Sequence, residues 1–93
     1  MEYNELCVKF GNKLKYYRLM RGYTQEKLAE KLGIDAHYIS DIECGLRNIT
    51  FKTLHRLVSA LDVEPYKFFN FDWLNFSLDL EWLSSYRIYL YWF

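Results

Sequence analysis

Apolar residues recur along the first two thirds of the chain at helical spacing, and the breaks between them carry caps and turns. Leu6, Phe10, Leu14 and Tyr17 make one amphipathic face. Thr24 can accept from a first-turn amide, and Gln25 and Glu26 follow where the positive end of a helix favours an acid. Leu28, Ala29 and Leu32 then share a face opposite Glu26, Lys27, Glu30 and Lys31. Gly33 can take the left-handed conformation that ends this helix, and Asp35 can cap the next. There Ile39 and Ile42 turn inward, which leaves Ala36, His37, Ser40 and Asp41 facing outward until Gly45. Thr50 precedes Leu54, Leu57, Val58 and Leu61, spaced as one face, and Pro65 fits the first position of a last helix. The pattern predicts a mainly α fold of five short helices within residues 4–70.

Beyond residue 70 the period changes. Leu74, Phe76, Leu78, Leu80 and Trp82 alternate with Asn75, Ser77, Asp79 and Glu81, as in a half-buried strand. Ser84 and Ser85 can turn the chain, and residues 86–93 are rich in β-forming types, so a hairpin is expected, with a helix through Trp73 and Trp82 as the alternative. Nine of the 24 residues from Asn70 are aromatic, so this segment must be covered. Residues 71–93 are therefore expected to form a packing or dimerisation element, with Phe68, Phe69, Phe71, Trp73, Phe76 and Trp82 as interface candidates.

Two short helices around a tight turn, Thr24 to Gly45, suit the DNA major groove, about 12 Å wide, because the second helix can enter it while packed on the first. At this point residues 10–70 resemble the Cro/C1-type helix-turn-helix family, a lambda-repressor-like fold. The matching stretches are FGNKLKYYRLMRGYTQEKLAEKLGI, YISDIECGLRN and LDVEPYKFF, and the joint spacing of Gln25, Ala29, Gly33, Ile39, Glu43 and Gly45 is the specific signal. The run AHYISDIECGLRNIT also resembles restriction-modification controller proteins, which are dimers. The resemblance implies a homodimeric, cytoplasmic transcriptional regulator that binds double-stranded DNA at two half-sites. It implies phosphate or base contacts by Gln25, base reading by Ala36, His37, Ser40 and Asp41, backbone contacts by Arg47 and Asn48, and a sugar-phosphate contact by Tyr38. Ala36 departs from relatives that carry a long polar or basic side chain there. Arg18 and Glu43 match a partly buried ion pair. Thr24 joins the DNA-contacting set, with capping as its equally weighted role. The rival is an antitoxin-like module that binds a protein partner through the aromatic tail.

Charge modifies this picture. The chain has 12 Lys and Arg against 12 Asp and Glu, so there is no overall attraction to a polyanion. Lys13, Lys15, Arg18 and Arg21, then Arg47, Lys52 and Arg56, are expected to provide a local basic surface. Cys7 and Cys44, with His37 and His55, match no zinc spacing. No nucleophile with its base, phosphate loop, cofactor site, signal peptide or apolar run near 20 residues is seen, so neither an enzyme nor a membrane protein is expected.

Overall fold

The computed structural model describes residues 1–71. Four α-helices, α1 (Tyr3–Met20), α2 (Gln25–Leu32), α3 (Ala36–Glu43) and α4 (Phe51–Leu61), are followed by a 3-10 helix, Pro65–Phe69. The mainly α class stands, but the fifth α-helix does not. Asp62 is left-handed at φ 56°, Glu64 is extended, and Pro65 restarts a helical segment that ends at Asn70, which leaves room for a 3-10 turn only. The expected hairpin, with Trp73, Phe76 and Trp82, lies outside the described residues.

Three caps set the helix starts. Thr24 accepts from the Lys27 amide, Asp35 from the His37 amide and Thr50 from the Thr53 amide. Each satisfies an amide that has no acceptor within its helix, which explains why the boundaries follow these polar residues. Gly33, at φ 69°, ends α2 by sending its own and the next amide back to Glu30 and Ala29.

The core joins Phe10 and Leu14 of α1, Leu28 and Leu32 of α2, Ile39 and Ile42 of α3, Leu57 and Leu61 of α4, and Phe68. Phe68 is fully buried, with its ring 5.5 Å from Phe10 and 5.3 Å from Tyr17. It holds the 3-10 segment onto α1 and is not available to a partner, unlike the half-exposed Phe69. Phe71 is buried as well, stacked edge-on against Phe69.

Gly11 sets how closely α1 crosses α3. A β-carbon there would fall on the carbonyl oxygens of Ile42 and Glu43, the latter only 2.7 Å away. This crossing fixes the end of α3 against α1.

Candidate nucleic-acid interface

Behind α3 sits a buried polar clamp. Arg18 donates from Nε to Glu43 Oε2 at 2.6 Å and from Nη2 to Oε1 at 3.0 Å. Its Nη1 donates to the Tyr23 carbonyl at 2.7 Å, and Gln25 Nε2 donates to Glu43 Oε1 at 3.0 Å. Both charged side chains are almost fully buried, 7% and 3% exposed, so the fork-on-carboxylate geometry and the added donors are what make the burial tolerable. The clamp ties α1, the α1–α2 turn and α2 to the last residue of α3. The ion pair expected between Arg18 and Glu43 is present and more buried than anticipated. Gln25, expected at DNA, is at least partly engaged inside the protein.

The front of α3 differs. His37 stands 94% exposed in front of its own cap, Asp35, whose Oδ1 accepts from the His37 amide at 2.8 Å and lies 3.3 Å from ring Nδ1. A carboxylate can only accept, so it favours the Nδ1–H tautomer and leaves Nε2 facing outward as an acceptor in the neutral ring. The amide bond, then the ring contact, hold the Asp35 carboxyl below its ordinary value of 3.8. Ala36, Tyr38, Ser40 and Asp41 are half-buried beside it. The outward row is therefore narrower than the period suggests, with His37 its most projecting member.

The chain then folds back over this helix. Arg47 Nε donates to Asp41 Oδ2 at 3.2 Å, and its guanidinium carbon lies 5.0 Å from the centre of the Tyr38 ring. Asn48 follows, exposed. Asp41, expected to read a base, is thus already paired within the protein. A tyrosine and an aspartate three apart on one helix face, followed by Gly and Arg, carry the only sequence signal for this cluster. At the other edge, Thr24 Oγ1 accepts from the Lys27 amide at 2.9 Å, so its capping role is the one seen.

The basic surface is smaller than the sequence suggests. Arg18 is buried in the clamp, Arg21 donates to the carbonyls of Leu61 and Asp62, Arg56 donates to the Leu32 carbonyl, and Lys13 is buried. Arg21 and Arg56 satisfy carbonyls at the ends of α4 and α2, where a cation also meets the negative end of the dipole. Arg47 is the arginine that packs on Tyr38 and pairs with Asp41 at the front of α3.

The arrangement is a two-helix unit with a clamped back and a polar front. A protein-family model described as helix-turn-helix matches residues 14–68, and the chain belongs to that family. Within it, Control protein C.BamHI of Bacillus amyloliquefaciens is 38% identical over 63 residues, 67% of this chain and 78% of the relative. The solved restriction-modification controller protein C.AhdI from Aeromonas hydrophila superposes with a TM-score of 0.69 at 35% identity, over 73% of this chain and 99% of that one. The controller C.Esp1396I, solved as a tetramer on its natural 35-base-pair operator, gives 0.63 at 41% identity, over 71% of this chain and 87% of that one. The family expected from residues 10–70 is the family found. No helix among the described residues is long and apolar enough to cross a membrane.

Proposed function

We propose that this chain is a sequence-specific, homodimeric DNA-binding transcriptional regulator of the restriction-modification controller type. The observation that carries the reading is the front of α3, where a fully projecting His37 stands between capped helix starts and the Tyr38, Asp41 and Arg47 cluster. Such a helix suits the major groove, and the operator-bound relative supports using it so. His37 Nε2, as an acceptor, suits an amino group at a base edge, adenine N6 or cytosine N4, and would suit guanine only as imidazolium. Ala36 meets a thymine methyl or nothing. Ser40 adapts to either partner, and Asn48, with the α2 N-terminus at Thr24 and Gln25, takes the backbone. Gln25 has one amide hydrogen and its carbonyl oxygen beyond the clamp. With half-sites about one turn apart, two copies place both recognition helices on one face of the duplex.

Self-association is supported by an apolar groove. Tyr3, Leu6, Phe10, Phe51, Leu54 and Phe69 line it beside Arg47 and Asn48, and Phe51 is 87% exposed. Residues 4–70 form the DNA-binding unit in this reading, and residues 71–93 extend the dimer contact. Phe51→Asp should lower the mass by light scattering from dimer to monomer; an unchanged dimer would place the contact elsewhere. The function is tested by selecting from a random duplex library with the full-length protein and repeating with His37→Ala. An enriched two-fold symmetric site, relaxed at one position per half-site by the substitution, supports the reading. No enrichment would turn it toward a protein partner.

A further inference from the structure

The end of α3 brings Arg47 back onto its own recognition helix. Gly45, at φ 78°, donates to the Ile42 carbonyl at 3.0 Å, and Leu46 donates to the Asp41 carbonyl at 2.9 Å. This is the double reversal that closes a helix through a left-handed glycine. A β-carbon on Gly45 would also lie 2.9 Å from Cα of Val8 in α1, so the turn is fixed from both sides.

Two attractions then act on one guanidinium. Asp41 accepts from Nε, and the Tyr38 ring lies beneath. Arg47 nevertheless remains half exposed. With Nε engaged, its Nη groups carry the donors left for an acceptor outside the protein. Arg18, Arg21 and Arg56 all donate into the fold.

We propose that Asp41 is a positioning residue. It holds Arg47 stacked on Tyr38 with the Nη edge toward a DNA phosphate, and it reads no base itself. A free carboxylate on a recognition helix would repel the phosphates, whereas a paired one orients the cation that binds them. The inference rests on the DNA-binding reading above and adds a role that reading leaves open.

The test uses the selected duplex and a scrambled one, with wild type, Asp41→Ala, Arg47→Ala and the double variant, and with melting curves to separate folding from binding. Arg47→Ala should weaken both duplexes about tenfold and flatten the salt dependence by roughly one phosphate contact. Asp41→Ala should weaken both about threefold, leave the salt slope nearly unchanged and enrich the same site as wild type. The double variant should bind no more weakly than Arg47→Ala, and Asp41→Glu, which keeps a carboxylate, should recover most of the loss. A site that loses a cytosine preference only in Asp41→Ala, or a double variant weaker than Arg47→Ala, would make Asp41 a base reader and overturn the proposal. Tighter binding by Asp41→Ala would overturn it too. Absence of any enriched site with the wild type would instead remove the DNA-binding reading, and this inference with it.

Discussion

The two faces of α3 use the same pair of chemical groups for different ends. At the back, Arg18 and Glu43 are 7% and 3% exposed and joined by two bonds of 2.6 and 3.0 Å. At the front, Arg47 and Asp41 are 50% and 38% exposed and joined by one of 3.2 Å. Burial makes the first pair hard to break, because either partner alone would be a charge removed from water. Exposure makes the second pair easy to exchange, because water and salt screen it. A helix that must meet a polyanion needs both: an orientation that does not shift, and a cation that can change partner.

The largest effect should follow breaking the back. Glu43→Ala strands the Arg18 guanidinium and should cost about 3–5 kcal/mol in chemical denaturation, much of what a small domain has. Replacing both residues by apolar ones of similar volume should cost much less, and a double-variant loss equal to the sum of the two single losses would show that the pair is not a unit. Gly45→Ala should come next, at about 1–3 kcal/mol, from the left-handed backbone and the Val8 contact together. Its DNA affinity should fall further than its stability explains, since the same turn carries Arg47.

Smaller effects sharpen the contrast. Thr50→Ala should cost about 1 kcal/mol through the lost cap on α4. Asp41→Asn should change stability by less than about 0.5 kcal/mol while altering binding; a loss like that of Glu43→Ala would erase the distinction between the faces. The smallest effect is on acid stability. The folded Asp35 carboxyl is lowered, first by the His37 amide and then by its ring. Its contribution is therefore present above the ordinary value of 3.8 and is lost as pH falls through the lower folded value. Asp35→Asn should remove that part of the acid transition in a pH titration followed by circular dichroism.

Much of the scaffold was legible because its signals are local. Thr24, Asp35 and Thr50 bond amides two or three residues on, so their positions alone mark helix starts. Leu57, Val58 and Leu61 are buried as their spacing suggests. What escaped depends on distant partners. Arg21 meets carbonyls 40 and 41 residues away, and no periodicity distinguishes it from a solvated cation. Phe68 and Phe69 are adjacent aromatics, yet one is core and the other half exposed: both rings lie against Phe10, and Phe68 also packs on Tyr17. Gly11 could be noticed as a glycine inside an amphipathic helix, but only the crossing with α3 explains it. At the candidate site, His37 was legible from the helical period, whereas the pairing of Asp41 needed the fold-back of Arg47.

The most direct test is an amide NMR titration of the full-length protein with the selected duplex. The expected perturbations fall on Thr24 to Lys27, Ala36 to Asp41, and Arg47 with Asn48 and the residues beside them, while the apolar face at Tyr3, Leu6 and Phe69 stays as in the free protein. Shifts confined to that apolar face, with α3 unchanged, would contradict the assignment of its front as the DNA-reading surface.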